Sequence, residues 1–363
     1  MTTERPRATT DRPAHDASEQ QLLSSVRAGD SAALGDLVEP YRRELHAHCY
    51  RMLGSYADAE DALQDALLRA WRGLKGFEGR SSLRSWLYQI TTNACLRAIE
   101  RRPTRILPVD FGPAADPHDG PADPITDPIW LEPYPDSLLG LASPAGPDAR
   151  YEQRESVELA FIAALQHLPA RQRAVLILRD VLGFSARETA DALETTSVSV
   201  DSALQRAHKT VEERLPSQSQ QETLRRLGDE GLSKIVERYV DAWERKDLDA
   251  FVALLAEDAR IAMPPLPSWF SGRDQVGTFL RQFVIDEVPG WRVVPTSANG
   301  QLALVAYGWN DQVEAFRPHC LNVLTIRDGL VDEIMAFLLV DEMMPVLGPD
   351  SFDRFGLPAT IAR

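Results

Sequence analysis

The sequence predicts a multidomain chain in which two all-α modules, the second a helix-turn-helix, are followed by an α+β unit. Apolar residues recur at three- and four-residue spacing over the first 110 positions and again over 151–216. Nine of the 25 prolines fall in the stretch 111–150 that separates them. Past about residue 255, short alternating runs replace the helical spacing. A length of 363 residues also exceeds what one hydrophobic core serves, so two or three domains are expected.

Charge narrows the function classes. Lys and Arg total 39 against 54 Asp and Glu, a net charge of −15. This argues against a free protein that holds nucleic acid through a general positive field, while leaving room for a local basic surface. The excess is uneven: 1 basic residue faces 7 acidic ones over 111–150, whereas 16 face 15 over 1–110. Cys49, Cys95 and Cys320 are too few and too scattered for a disulfide scaffold or a zinc site, which fits a reducing, cytoplasmic setting without metal or cofactor. No apolar run approaches the roughly 20 residues of a membrane helix, and the first residues lack a hydrophobic signal core, so no membrane role is expected. Residues 1–17, rich in Thr and Pro, read as a disordered tail.

The first module opens with Leu22, Leu23 and Val26, continues through Leu34, Leu37, Val38 and Tyr41, and closes a helix at Gly54-Ser55. A second helix is expected from Asp58 to Trp71, with Asp58, Glu60 and Asp61 at its positive N-terminal end. Its apolar stripe is Ala59, Leu63, Ala66, Leu67, Ala70 and Trp71. Asp61, Gln64 and Asp65 form a polar stripe that is either a solvated face or an interface. A Gly-rich loop from Lys75 to Ser82 precedes a helix from Leu83 to Arg102 carrying Trp86, Tyr88, Asn93 and Arg97. Aromatic, amide and arginine side chains suit unstacked bases and phosphates, and they equally suit a packed core.

The stretch 111–150 reads as an acidic linker that forms no long element, and its apolar residues Ile129, Trp130, Leu131 and Tyr134 suggest that it docks. In the second module, Val157, Phe161, Ala164 and Leu165 mark one helix, and Pro169 opens another that Gly183 ends. Ser185-Ala186-Arg187-Glu188 is a capping box, Glu194-Thr195-Thr196 a turn, and Ser197 to Arg214 a longer helix. In a helix-turn-helix this second helix enters the major groove. Ser199, Ser202, Gln205, Arg206 and Lys209 would present hydroxyl, amide and cationic groups along it.

Two long runs carry a resemblance. Asp58-Ala-Glu-Asp-Ala-Leu-Gln-Asp-Ala-Leu-Leu-Arg-Ala-Trp71 with Phe77 to Asn93 resembles region 2 of sigma-70 family factors of the extracytoplasmic-function group. Leu168-Pro-Ala-Arg-Gln-Arg-Ala-Val-Leu-Ile-Leu-Arg179 through Ser202-Ala-Leu-Gln-Arg-Ala207 resembles their region 4. The resemblance implies that Asp61, Gln64 and Asp65 meet the clamp helices of the largest subunit of core RNA polymerase. It implies that the loop with Phe77, Arg80 and Ser81, together with Tyr88 and Asn93, takes the flipped base of the promoter −10 element. It also implies that Ser199, Ser202, Gln205, Arg206 and Lys209 face the −35 element, with Asp201 departing from the residue usual at its position. A factor delivered by polymerase does not need its own counterion-release affinity, which accounts for the acidic balance. The family's linker runs through the polymerase's basic RNA channel. Trp130-Leu131-Glu132-Pro133-Tyr134-Pro135 resembles the linker motif of a subgroup with an extra C-terminal domain, making Trp130 and Tyr134, expected to be exposed, regulatory candidates.

That domain is expected over 228–345: two amphipathic helices, then strands near 259–263, 291–296, 301–309, 320–327 and 330–338, with a helix from Arg273 to Ile285. The pattern resembles a SnoaL-like, or nuclear-transport-factor-2-like, cone. Such cones enclose an apolar cavity, for which Met263, Trp269, Phe283, Trp291, Tyr307 and Trp309 are lining candidates and a small molecule a candidate ligand. His319 and Asp311 are the one evident acid–base pair, and a structural role is expected for them, so no catalytic residue is assigned. The resulting divisions are a tail 1–17, region 2 over 18–106, the linker 107–150, region 4 over 151–216, a connector 217–227, the cone and a tail 346–363. The expected function is a sigma factor, not an enzyme, that directs promoter recognition under the cone's control. The rival is a ligand-binding or enzymatic cone protein whose helical half is a one-component DNA-binding switch.

Overall fold

The computed structural model describes residues 12–28, 30–79, 81–125, 127, 129–139, 154–216, 218–339 and 354–363. Of the expected disordered tail, residues 1–11 lie outside the described residues, and from Arg12 onward the chain is helical, so that expectation was too long.

The first module is four helices: α1 (Arg12–Arg27), α2 (Ser31–Leu53), α3 (Tyr56–Gly73) and α4 (Leu83–Ile99). Each boundary has a local cause. The Asp30 carboxylate accepts the amides of Ala32 and Ala33 at the start of α2, and Gly54, at φ 70°, ends it in the left-handed region that suits glycine. Ser55 caps α3 through the Asp58 amide, and Ser82 caps α4 through the Ser85 amide. Leu45, Cys49, Tyr50, Leu63, Leu87, Tyr88 and Cys95 are buried where these helices meet. A single turn, α5 (Pro108–Phe111), follows.

The second module comprises α6 (Leu159–Gln166), α7 (Ala170–Leu176) continued by a π-turn over Ile177–Val181, α8 (Ala186–Ala192) and α9 (Ser197–Glu212). The Ser185–Glu188 capping box is formed in both directions. Glu194, at φ 51°, makes the turn, and the Thr196 side chain caps α9.

The third unit begins earlier than expected. Where a connector was expected over 217–227, α10 (Gln220–Glu244) already starts, and Gly228, at φ 68°, breaks it rather than preceding it. After α11 (Leu248–Val252) come β1 (Leu255–Ala262), β2 (Trp269–Ser271), α12 (Arg273–Phe283), β3 (Trp291–Ala298), β4 (Gln301–Asn310), β5 (Ala315–Arg327) and β6 (Leu330–Leu338). The sheet order is β2-β1-β6-β5-β4-β3, antiparallel except for β1 with β6. β2, at Trp269–Ser271, is not among the expected strands.

Strand alternation gives this sheet two buried faces. Trp291, Leu304, Ala306, Cys320, Leu324 and Ala336 pack under α10–α12. Val305, Tyr307, Leu321, Val323, Met335 and Phe337 face the other way and belong to one apolar cluster with both helical modules and the linker. The sheet is therefore covered on one side by its own helices and on the other by the rest of the protein.

Candidate functional site

The polar stripe of α3 is open. Asp61 and Gln64 are exposed, Asp65 is half-buried, and the same face carries Leu68 and Trp71, 58% and 37% exposed. Asp61 pairs with Arg102 at 2.9 Å and Asp65 with Arg69 at 2.8 Å. Exposed pairs of this kind contribute little stability, which leaves the carboxylates available to a partner.

The −10 candidates are divided. Ser81 is exposed, Phe77 is buried against Trp86 and Asn93 is half-buried, while Arg80 lies outside the described residues. Tyr88 is fully buried: its ring meets Phe184 of the second module edge-on at 5.3 Å, and the Arg84 guanidinium lies 4.8 Å from the Tyr88 ring and 5.2 Å from Phe184. The second module thus sits on the first. Arg51 donates to the Ser156 hydroxyl at 2.8 Å, and buried Arg173 donates to the Met52 carbonyl.

Along α9, Ser199, Ser202, Gln205, Arg206 and Lys209 are all exposed, with Val200, Ala207 and Val211 buried on the opposite side. The −35 candidates therefore share one free face. The Ser199 hydroxyl is held by Thr196 at 2.9 Å within the cap.

The linker corrects the expectation of exposed aromatics: Trp130 is 1% exposed and Tyr134 0%. The docking that its apolar residues suggest is present, but the sequence does not show the surfaces that receive them. Residues 112–125 lie across the α+β unit. The Trp269 indole donates to the Gly112 carbonyl at 2.8 Å, the Ala122 amide to the Ser268 hydroxyl at 2.8 Å, and the Ile125 amide to the Pro265 carbonyl at 3.0 Å. A Cβ on Gly120 would come within 3.0 Å of the Phe283 ring. The chain then crosses to the first module, where Ile106 and Trp130 form a β-bridge.

There Glu132 reaches the positive N-terminus of α3. Its carboxylate accepts from the Ser55 hydroxyl at 2.7 Å and from the amides of Tyr56 and Ala57 at 2.9 and 3.3 Å, with Arg105 at 3.8 Å. Burial pushes its pKa up, against the pull of these donors. Two residues on, the Tyr134 hydroxyl meets His46 Nδ1 at 2.8 Å.

Asn299 closes the junction. Asn299-Gly300, at φ 55° and 68°, is the two-residue turn between β3 and β4, with both residues in the conformation that Asn-Gly favours. The Asn299 side chain is fully buried. It accepts from the Tyr134 amide at 2.7 Å and donates to the Tyr50 hydroxyl at 2.8 Å and the Val157 carbonyl at 2.7 Å. One amide thus ties together the first module, the linker and the second module. The Asn-Gly pair signals a turn in the sequence, but nothing local marks it as a joint.

A second seam lies close by. Glu158, just before α6, accepts the amides of Gln220 and Gln221 at 3.1 and 2.8 Å, and burial raises its pKa to about 7. The C-terminal segment adds a third contact: Arg354 stacks on the Tyr56 ring at 3.9 Å, and Ile361 bridges to Phe316.

The expected pocket set does not converge. Met263 and Trp291 lie among the residues under the helices with Phe283 beside them, whereas Trp269, Tyr307 and Trp309 belong to the opposite face. Period-two alternation sends 305, 307 and 309 away from the helices, and the Tyr307 hydroxyl donates to the Pro358 carbonyl at 2.9 Å. His319 and Asp311 do not pair. His319 packs edge-on to Trp291, with its pKa lowered to about 4 by burial, and Asp311 accepts from the Trp309 indole at 2.8 Å. Among the described residues no His, Cys, Asp and Glu cluster could hold a metal, and no helix is long and apolar enough to cross a membrane.

Comparison with known proteins agrees with this division. Residues 37–104 match the Sigma-70 region 2 family, 158–211 the Sigma-70, region 4 family, and 236–334 the SnoaL-like domain. The ECF RNA polymerase sigma factor SigG of Mycobacterium tuberculosis is 42% identical over 337 residues, spanning 92% of this chain and 86% of the relative. SigM of the same species is 32% identical over 196 residues, spanning 53% of this chain and 82% of the relative. The crystal structure of the M. tuberculosis extracytoplasmic function sigma factor SigJ, 20% identical, superposes over 87% of this chain and 97% of its own with a TM-score of 0.52, so the two share a fold. With both sigma regions in order, the SnoaL-like unit behind them and a relative similar over nearly the full length, the chain belongs to the extracytoplasmic-function sigma factors of RNA polymerase.

Proposed function

We propose that this sigma factor rests in a closed state, and that its SnoaL-like unit acts as an internal clamp rather than as an enzyme. The observation that carries this reading is the burial of Trp130, Glu132 and Tyr134 between region 2 and the Asn299 turn. The −10 and −35 elements are centred about 25 base pairs apart, roughly 85 Å of duplex at about 34 Å per turn. Region 2 and region 4 touch here through Tyr88 and Phe184, so one chain cannot occupy both elements in this arrangement. Residues 107–150, freed and extended at about 3.3 Å per residue, reach farther than that separation. Undocking the linker would therefore free region 4 to move, expose Tyr88 and make the linker available to the polymerase.

In this reading α3 docks on core polymerase through Asp61, Gln64 and Asp65, region 2 and α9 read the two promoter elements, and the protein works in the cytoplasm. The SnoaL-like unit holds Pro265, Ser268 and Trp269 against residues 112–125, and its His319 and Asp311 serve structure. Run-off transcription with core polymerase tests this: the full-length protein should direct initiation from its promoter, and Asn299→Gly should raise the yield several-fold. Sequence-specific footprints from the free protein equal to those of the holoenzyme would favour a one-component switch instead.

A further inference from the structure

On α9 the positions 198, 202, 205 and 209 recur at intervals of four, three and four, so Val198 lies in the same stripe as Ser202, Gln205 and Lys209, opposite buried Val200, Ala207 and Val211. Val198 is 76% exposed. The other large apolar side chains left exposed among the described residues have local settings: Leu68 and Trp71 on the open face of α3, Phe111 against the Trp130 ring, and Val313 in the turn between β4 and β5. Val198 has no ring or core partner. It stands in the first turn of α9, where a β-branched side chain lowers helix propensity. Its neighbour Ser199 is tied to Thr196, so the leading position of the stripe belongs to the valine.

Residues at the N-terminal end of a recognition helix are the ones that reach base edges. An isopropyl group has one apolar complement in the major groove, the C5 methyl of thymine. We propose that Val198 packs against the methyl group of a thymine in the −35 element, beside the base that faces Ser202. This rests on the reading of α9 as the −35 helix. Arg206 reads one base and Lys209 holds the backbone, and Val198 supplies discrimination at a further position where polar side chains offer none.

The test removes the methyl group from each side in turn. Holoenzyme made with core polymerase is assayed for open-complex formation on promoters in which each −35 thymidine, on either strand, is replaced by deoxyuridine. With the wild-type protein, one deoxyuridine should lower complex formation about fourfold, the factor given by about 0.8 kcal/mol for one methyl-sized group. Val198→Ala should show a similar loss on the thymidine promoter and no further loss at that deoxyuridine. If every deoxyuridine acts equally on wild-type and Val198→Ala, the assignment is overturned. Arg206→Ala, run in parallel, separates the two levels. Altered −35 preference with a flat deoxyuridine scan defeats only Val198, whereas unaltered preference defeats the reading of α9 itself.

Discussion

Replacing Asn299 with glycine should open the protein while leaving the SnoaL-like fold intact. Glycine keeps the turn, because it adopts φ near 55° at no steric cost and Gly-Gly suits the same hairpin. What is lost is the side chain, with its bonds to the Tyr134 amide, the Tyr50 hydroxyl and the Val157 carbonyl. At about 1 kcal/mol per bond, the closed state loses about 3 kcal/mol, or roughly two orders of magnitude in the ratio of closed to open molecules. Amide hydrogen exchange reads this directly. Linker amides at 129–139 should exchange faster by up to that factor, while β4–β5 peptides should keep their protection. Unchanged protection of 129–139 would refute the idea that Asn299 holds the junction.

Asp61→Arg with Asp65→Arg should leave the melting temperature nearly unchanged, since both pairs are at the surface, and should abolish co-purification with core polymerase by setting like charges against an interface. Arg206→Ala should cost about 1–3 kcal/mol of discrimination at one −35 position, whereas Lys209→Ala should weaken binding evenly across promoter variants; a −35 panel distinguishes them. The seam at Glu158 should respond to pH. Its folded pKa, about 7, lies above its ordinary value of 4.5, so the seam carries a penalty above pH 7 that is relieved as pH falls through 7 and is gone below 4.5. Protection of the Gln220 and Gln221 amides, corrected for intrinsic exchange, should rise from pH 8 to pH 5 in the wild type and respond far less in Glu158→Gln.

The helix-turn-helix was legible because local and global signals coincide there: Ser185 and Glu188 form the capping box their spacing announces, and α9 keeps its polar face free. The face of α3 was legible for the same reason. Tyr88 shows the limit, since its aromatic ring suits either stacking or burial and its burial here is set by Phe184, 96 positions away. The expected domain start at 228 coincides with the break at Gly228, but the helix before it was not legible, because glycine reads as a boundary even where helix flanks both sides. Trp269-Phe270-Ser271 is too short to show alternation, so β2 was missed, although β1 supplies its partner. That the linker docks was legible in its apolar residues, but its partner was not: the Asn299 turn is an ordinary surface signal by itself, and the burial of Trp130 and Tyr134 exists only in its presence.

The distance between region 2 and region 4 in the free and promoter-bound states tests the central claim most directly. Cysteines placed at the exposed positions Glu100 and Glu213 can carry spin labels, because native Cys49, Cys95 and Cys320 are all buried. Pulsed electron–electron resonance should give one short distance for the free protein and a distance tens of ångströms longer in the complex with core polymerase and promoter, as elements roughly 85 Å apart on the duplex require. The same short distance in both states would contradict the closed resting state.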